Sequence, residues 1–292
     1  MKVGFNRMPG LDIYYAADAC YQAKTERLKG SWFRWTRRFR HYRDWEEAIF
    51  RKGASTHILL ITPHEVPDYN RFYQTEEARL HVLPPGIQRR EFSESLKRDA
   101  LVRVRKELSI AEGKNILLFV GRGFRTKGLD RAIRGMASLP QQLRLNSTLV
   151  VLGESKPGRF KVLANRLEVD DRVLFLGGRK DVYDFMLAAD MLVHPAYSEN
   201  TGTVLLEALT AGLPVLTTDT CGFSVHINQA EAGFVIPSPF DQNYYNQQLA
   251  RMIEQKSSSS WQANGLKYTA SQELYDRDAH AVEFIEKIAR TK

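Results

Sequence analysis

The chain has 292 residues, 43% apolar, 26% charged and 11% aromatic. This composition excludes a disordered tail, a collagen-like fibre and a coiled coil, and leaves room for about two domains. The net charge is +8, and +7 of it lies between residues 24 and 43, where Lys24, Arg27, Lys29, Arg34, Arg37, Arg38, Arg40 and Arg43 are countered only by Glu26. A patch so concentrated points to one anionic partner surface: nucleic acid, phospholipid or a phosphorylated glycan. No apolar run approaches the ~20 residues of a spanning helix, and the first residues lack the apolar stretch and cleavage site of a signal peptide. Cys20 and Cys221 lie far apart, which argues against a disulfide scaffold and fits a reducing cytoplasm.

In chain order, residues 1–95 read as a short α/β domain. A strand is expected at 3–6, a long helical stretch at 14–50, a strand at 57–62, a helix at 64–74 and a strand at 80–83. Leu83-Pro84-Pro85-Gly86 marks a turn, and the charged stretch 88–113 reads as a linker. A second domain is expected over 96–256, clearest from about 115 to 255. Short apolar runs at 116–120, 148–152, 173–176, 191–194, 214–217 and 234–236 alternate with helical stretches at 128–138, 158–168, 181–189, 203–211 and 241–256. This alternation predicts βαβ units and a parallel sheet with helices on both faces, so ligands are expected at the carboxyl ends of the strands. Ser257–Ser260 breaks the pattern, and residues 257–292 end in a helix near 271–290, expected to pack back toward the N-terminal domain.

Two strand ends carry the candidate chemistry. The first is Val120-Gly121-Arg122-Gly123-Phe124-Arg125-Thr126-Lys127-Gly128, a glycine-rich loop with cations that suits a diphosphate; the alternative is a solvated basic loop. The second runs from His194 through Glu199-Asn200-Thr201-Gly202-Thr203-Val204 to Glu207. A helix opening near Gly202 turns its amide N–H groups and positive dipole end toward the crevice. Glu199 could equally be a cap, and Glu207 could sit on a solvated face. Taken together, two cations and a helix N-terminus can hold a diphosphate, while two carboxylates accept hydroxyls on either side of it. That is a pocket for a nucleotide sugar.

The pattern Gly121-Arg122-x4-Lys127-Gly128 followed by Glu199-x7-Glu207 resembles the donor domain of retaining glycosyltransferases of family four. Val3 to Asp12, Ala16-Ala17-Asp18-Ala19-Cys20, Leu83-Pro84-Pro85-Gly86-Ile87 and Thr210-Ala211-Gly212-Leu213-Pro214-Val215-Leu216-Thr217-Thr218 extend the likeness to the lipopolysaccharide core glucosyltransferases of that family, over essentially the whole chain. The resemblance implies an α/β GT-B fold of two Rossmann-like domains. Members of the group carry further strands and a Gly-Gly loop ahead of the position of Val3, so the N-terminal domain is expected to be incomplete here. The resemblance also implies hexose transfer, glucose from UDP-glucose, to an inner-core heptose, with no metal and no further cofactor. Arg122 and Lys127 would bind the donor diphosphate, Glu199 the hexose and Glu207 the ribose. Asn200, Gly202, Thr203 and Val204 would cradle phosphate or sugar, and Arg90 would add a phosphate contact. Asp18, Glu199 and Lys127 would face the reaction; for Asp18 the alternative is a helix N-terminal acid.

Trp32, Trp35, Phe39, Tyr42 and Trp45 recur every three or four residues among the arginines. One reading packs this stripe on the core. The other lays it on an anionic inner-membrane surface, each basic residue adding about 1 kcal/mol, and makes the protein peripheral on the cytoplasmic face. No nucleic-acid-binding signature accompanies the charge. Asp276-Arg277-Asp278 is a weak acidic pair, and no metal is expected. The reading is therefore a glycosyltransferase. Its alternatives are a membrane-associated nucleotide-sugar-binding remnant without transfer activity and, more remotely, a sugar-nucleotide epimerase.

Overall fold

The computed structural model describes residues 1–28 and 31–290. Of the basic segment, Lys29 and the Arg27 side chain lie outside the described residues. The chain divides into two compact units, Met1–Gly86 with Glu273–Lys292, and Ile87–Gln272.

The first unit holds a parallel sheet of β1 (Val3–Gly4), β2 (Ile13–Ala16), β3 (His57–Leu60) and β4 (Leu80–Val82), in the order β1-β2-β3-β4. Residues 14–16, expected in a helix, belong to β2. Ile13-Tyr14-Tyr15-Ala16 pairs with His57-Ile58-Leu59-Leu60 residue for residue, and β-branched and aromatic side chains suit that pleated, half-buried surface. The rest of the expected long helix is broken into α1 (Tyr21–Leu28), a 3₁₀ turn at Ser31–Trp35 and α2 (Arg37–Phe50). Thr36 ends the turn and caps α2, its hydroxyl accepting from Phe39 N at 3.1 Å. α3 (Val66–Tyr73) follows β3. A core of Tyr14, Ile49, Phe50, Ile58, Leu60 and Tyr69 lies under these helices. α13 (Arg277–Arg290) covers the sheet's other side, with Ala281, Phe284, Ile285 and Ile288 against Ile13, Leu59 and Leu83.

The second unit begins with a correction. Much of the stretch read as a linker is a four-turn helix, α4 (Glu94–Leu108), capped by Ser93 and held by the buried Ala100 and Val104. Six parallel strands follow: β5 (Asn115–Val120), β6 (Ser147–Leu152), β7 (Val173–Gly177), β8 (Met191–His194), β9 (Val215–Thr218) and β10 (Gly233–Ile236). Their order is β10-β9-β8-β5-β6-β7. Leu117, Phe119, Leu149, Val151, Val193 and Leu216 share one face with α5 (Leu129–Ser138), α7 (Gly158–Arg166) and α11 (Gln242–Gln255). The alternate positions turn to the opposite layer, where α4 packs on α8 (Val182–Ala188) and α9 (Thr203–Thr210) on α12 (Trp261–Ser271). α6 (Gln141–Leu145) and α10 (Ser224–Ala230) complete the unit. Burial on both faces explains why β5 and β6 read as unbroken apolar runs. The C-terminal segment is not one helix after Ser260: α12 belongs to the second unit and α13 to the first. Among the described residues no helix is long and apolar enough to cross a membrane.

Candidate active site

Chain connections diverge between β5 and β8, where the strand order reverses. Loops leaving the carboxyl ends of two such strands part and open a crevice. β5 feeds the loop Gly121–Gly128 and β8 feeds 195–202, and the two loops are stitched together. Tyr197 N donates to Thr126 O at 2.8 Å. Gly128 adopts φ +78°, and a Cβ there would stand 1.9 Å from Pro195 O, so only glycine permits this approach. Its role is loop-to-loop packing rather than the ligand approach that the motif suggested. Arg131 lies between the rings of Tyr197 and Phe240, 3.6 and 3.7 Å from their centroids. It also donates to Pro195 O and Ala196 O at 3.1 and 3.0 Å.

On this platform the structure brings Lys127 and Glu199 into a close ion pair in which both side chains are largely buried. The Glu199 backbone is pinned on both sides: its N–H donates to Thr220 O at 3.2 Å and its carbonyl accepts from Gly222 N at 3.1 Å. Beneath the carboxylate lies His194, fully buried, with Nε2 3.6 Å from Glu199 Oε2. Burial is the largest influence on Glu199 and would raise its pKa, but His194 and Lys127 outweigh it and hold the carboxyl below its usual range. For His194 burial again opposes the charge, yet Cys221 and Glu199 beside it push the imidazole up to about 9. Immediately after Gly202, which takes φ +82°, α9 opens with Thr203 and Val204. One turn on, burial raises the pKa of Glu207, opposed by the charge of Arg90. Arg90 itself lies over the Tyr183 ring and donates to Gln88 at 2.6 Å.

Arg122 has a different partner from Lys127. It is exposed, 3.5 Å from Glu154, on the rim of a cavity of about 290 Å³ that Gly121, Gly153, Glu154, Arg179 and Lys180 also line. Glu154, Arg179 and Lys180 were missed in the sequence, although each follows the end of β6 or β7, the positions that a parallel sheet reserves for ligands.

Asp18 belongs to the first unit, exposed in the loop after β2. Its carbonyl accepts from Arg7 at 3.2 Å and Tyr69 at 3.3 Å. The helix-cap alternative does not hold, because other acids take the opening amides of α1. Tyr21 N and Gln22 N donate to Glu46 at 2.7 and 3.2 Å, and Cys20 N to Glu65 at 2.7 Å. The aromatic stripe also divides. Phe39 is buried and packs near Tyr21 and Phe33, whereas Trp32 and Trp35 are 67% and 85% exposed, with Arg34, Arg37, Arg38 and Arg40 exposed beside them. Among the described residues no cluster of three or more His, Cys, Asp or Glu is arranged to hold a metal.

Comparison with known proteins fits this architecture. Residues 103–268 match the family described as Glycosyl transferases group 1. The chain is 45% identical over 285 residues to lipopolysaccharide glucosyltransferase WaaG of Escherichia coli (strain K12), covering 97% of this chain and 76% of that protein. A crystal structure of WaaG, a glycosyltransferase involved in lipopolysaccharide biosynthesis, superimposes with a TM-score of 0.89 at 44% identity, covering 97% of this chain and 77% of the other. The fold extends to Anabaena HepE, solved in complex with UDP, at a TM-score of 0.70 and 19% identity over 96% of this chain and 71% of that one. An α/β GT-B architecture, a switch-point crevice holding Lys127 and Glu199, and this level of identity lead to one conclusion: the chain belongs to the group 1 glycosyl transferases.

Proposed function

We propose that this glycosyltransferase moves a hexose, glucose from UDP-glucose, to a heptose of the lipopolysaccharide inner core with retention of anomeric configuration. The observation that carries the reading is the Lys127–Glu199 pair set beside the opening turn of α9. A cation, a carboxylate and a helix N-terminus in one crevice match a sugar joined to a diphosphate. Lys127, Arg122 and the first amides of α9 would neutralise charge growing on the departing diphosphate. Glu199 would accept hexose hydroxyls and Glu207 ribose hydroxyls, with Asn200, Gly202, Thr203 and Val204 around the phosphates and Arg90 supporting Glu207. Since no carboxylate is assigned as a covalent nucleophile, the acceptor hydroxyl would attack from the face that the leaving group vacates, its proton passing to the departing phosphate. Asp18, on the first unit, is the candidate group toward the acceptor. These groups need no metal. The relationship to a lipopolysaccharide glucosyltransferase supports a lipopolysaccharide acceptor, and the exposed Trp32, Trp35 and arginines support attachment to anionic lipid at the cytoplasmic face of the inner membrane.

A single-turnover assay with UDP-glucose and core-truncated lipopolysaccharide tests the reading. Glucose transfer is expected. Tight UDP-glucose binding without transfer would identify a nucleotide-sugar-binding protein instead.

A further inference from the structure

His194 has no explanation in the roles given above. It ends β8, is entirely buried, and lies roughly parallel to the Phe119 ring at 6.1 Å between centroids. Both ring nitrogens are buried, and neither makes a hydrogen bond. Buried polar atoms without partners are uncommon and call for a reason. Glu199 Oε2, the oxygen that Lys127 holds, lies 3.6 Å from Nε2, just beyond hydrogen-bond range, and the Cys221 thiol is the other group beside the ring.

Lys127 supplies the reason. With Glu199 as its partner it closes the crevice with an ion pair. A diphosphate carries more charge than a carboxylate and would draw the ammonium toward itself. Glu199 would then lose its cation as a sugar arrives to be oriented. Its backbone cannot follow, because the ladder with residues 220–222 fixes it, so the carboxylate must find a second partner where it stands.

We propose that His194 is a positioning residue that receives the Glu199 carboxylate as Lys127 turns to the donor diphosphate. A side-chain movement of about 0.7–0.9 Å closes the 3.6 Å Nε2–Oε2 gap to a charge-assisted hydrogen bond. The groups facing the imidazole are Glu199, Cys221 and, through Glu199, Lys127. The imidazole keeps its proton through neutral pH and loses it as pH rises through about 9, so the hand-off is available over the neutral range and fails in alkali. The inference rests on the reading of Lys127 and Glu199 as donor ligands and adds an order of events to it.

Two measurements test it. In the native protein labelled with ¹⁵N-histidine, the His194 ring should titrate near pH 9. Saturating UDP, which carries the diphosphate but no sugar, should move that midpoint higher and shift the Nε2 resonance toward a hydrogen-bonded imidazolium. A ring whose shift and midpoint are the same with and without bound UDP overturns the proposal with no mutation needed. Calorimetry then compares UDP with UDP-glucose. His194→Phe keeps the flat ring on Phe119 but cannot hold a carboxylate. It should weaken UDP several-fold, as the raised midpoint requires, and cut the preference for UDP-glucose over UDP at least tenfold, with His194→Gln between the two. Glu199→Gln reports on the underlying reading. If it lowers the UDP-glucose preference and His194→Phe does not, the hand-off is wrong and the donor reading stands. If neither changes the preference, both are overturned.

Discussion

Lys127 and Glu199 are 72 residues apart in the chain, and each taken alone is an ordinary charged residue in a loop. Their identity as a pair comes from two loops meeting at one switch point. Replacing Lys127 with alanine removes both the partner of Glu199 and a cation for the diphosphate. The rate of transfer should fall on the order of 10²-fold, measured at saturating donor, and calorimetry should show weaker UDP binding. Unchanged binding by both Lys127→Ala and Glu207→Ala would refute the donor-site assignment. A second residue matters for stability alone. Arg79 is buried and donates to the carbonyls of Ile49, Phe50, Arg51 and Thr56, closing the C-terminal end of α2. Arg79→Met leaves those buried carbonyls without their donor. A loss of about 3 kcal/mol in urea unfolding is expected. A loss below about 1 kcal/mol would mean that water replaces the guanidinium freely. Beyond the nearby Glu76 nothing in the local sequence marks Arg79, because its buried partners are backbone groups some twenty to thirty positions earlier.

Among the elements, the legibility of each strand tracks its burial. β5, β6 and β8 are buried on both faces and stand out as apolar runs. β2 was misread because its residues run directly into an apolar-periodic stretch, and only pairing with β3 makes Ile13–Ala16 a strand. α4 was misread for the opposite reason: it buries little beyond Ala100 and Val104, so its charged surface hid a weak stripe. The basic aromatic segment mixes both cases. Its spacing suggested one face, yet the cap at Thr36 sends Phe39 into the core and leaves Trp32 and Trp35 outside. If those tryptophans enter a lipid interface, Trp32→Ala with Trp35→Ala should weaken binding to anionic vesicles several-fold. Arg37→Gln, Arg38→Gln and Arg40→Gln together should remove about 1 kcal/mol each. Co-sedimentation measures both, and equal recovery of the native protein with anionic and neutral vesicles would rule the lipid reading out.

For the molecule as a whole, the last helix is the informative case. α13 lies far from β2 and β3 in sequence but completes the cover of their sheet in the first unit. Removing residues 273–292 should expose Ile13, Leu59 and Leu83 and lower the melting of the first unit while the second unit keeps its own transition, which calorimetry resolves. A single unshifted transition would mean that α13 contributes nothing to that core. By itself the sequence determined the strand–helix alternation, the parallel α/β class, the two loops that bear Lys127 and Glu199 and the basic patch, because these depend on short-range periodicity and on residue chemistry. Tertiary structure alone decided which helix covers which sheet, that Gly128 and Gly153 admit neighbouring backbone rather than a ligand, and that a buried histidine lies beneath Glu199. Those outcomes depend on which distant segments come into contact, and contact across a fold leaves no local pattern in the chain.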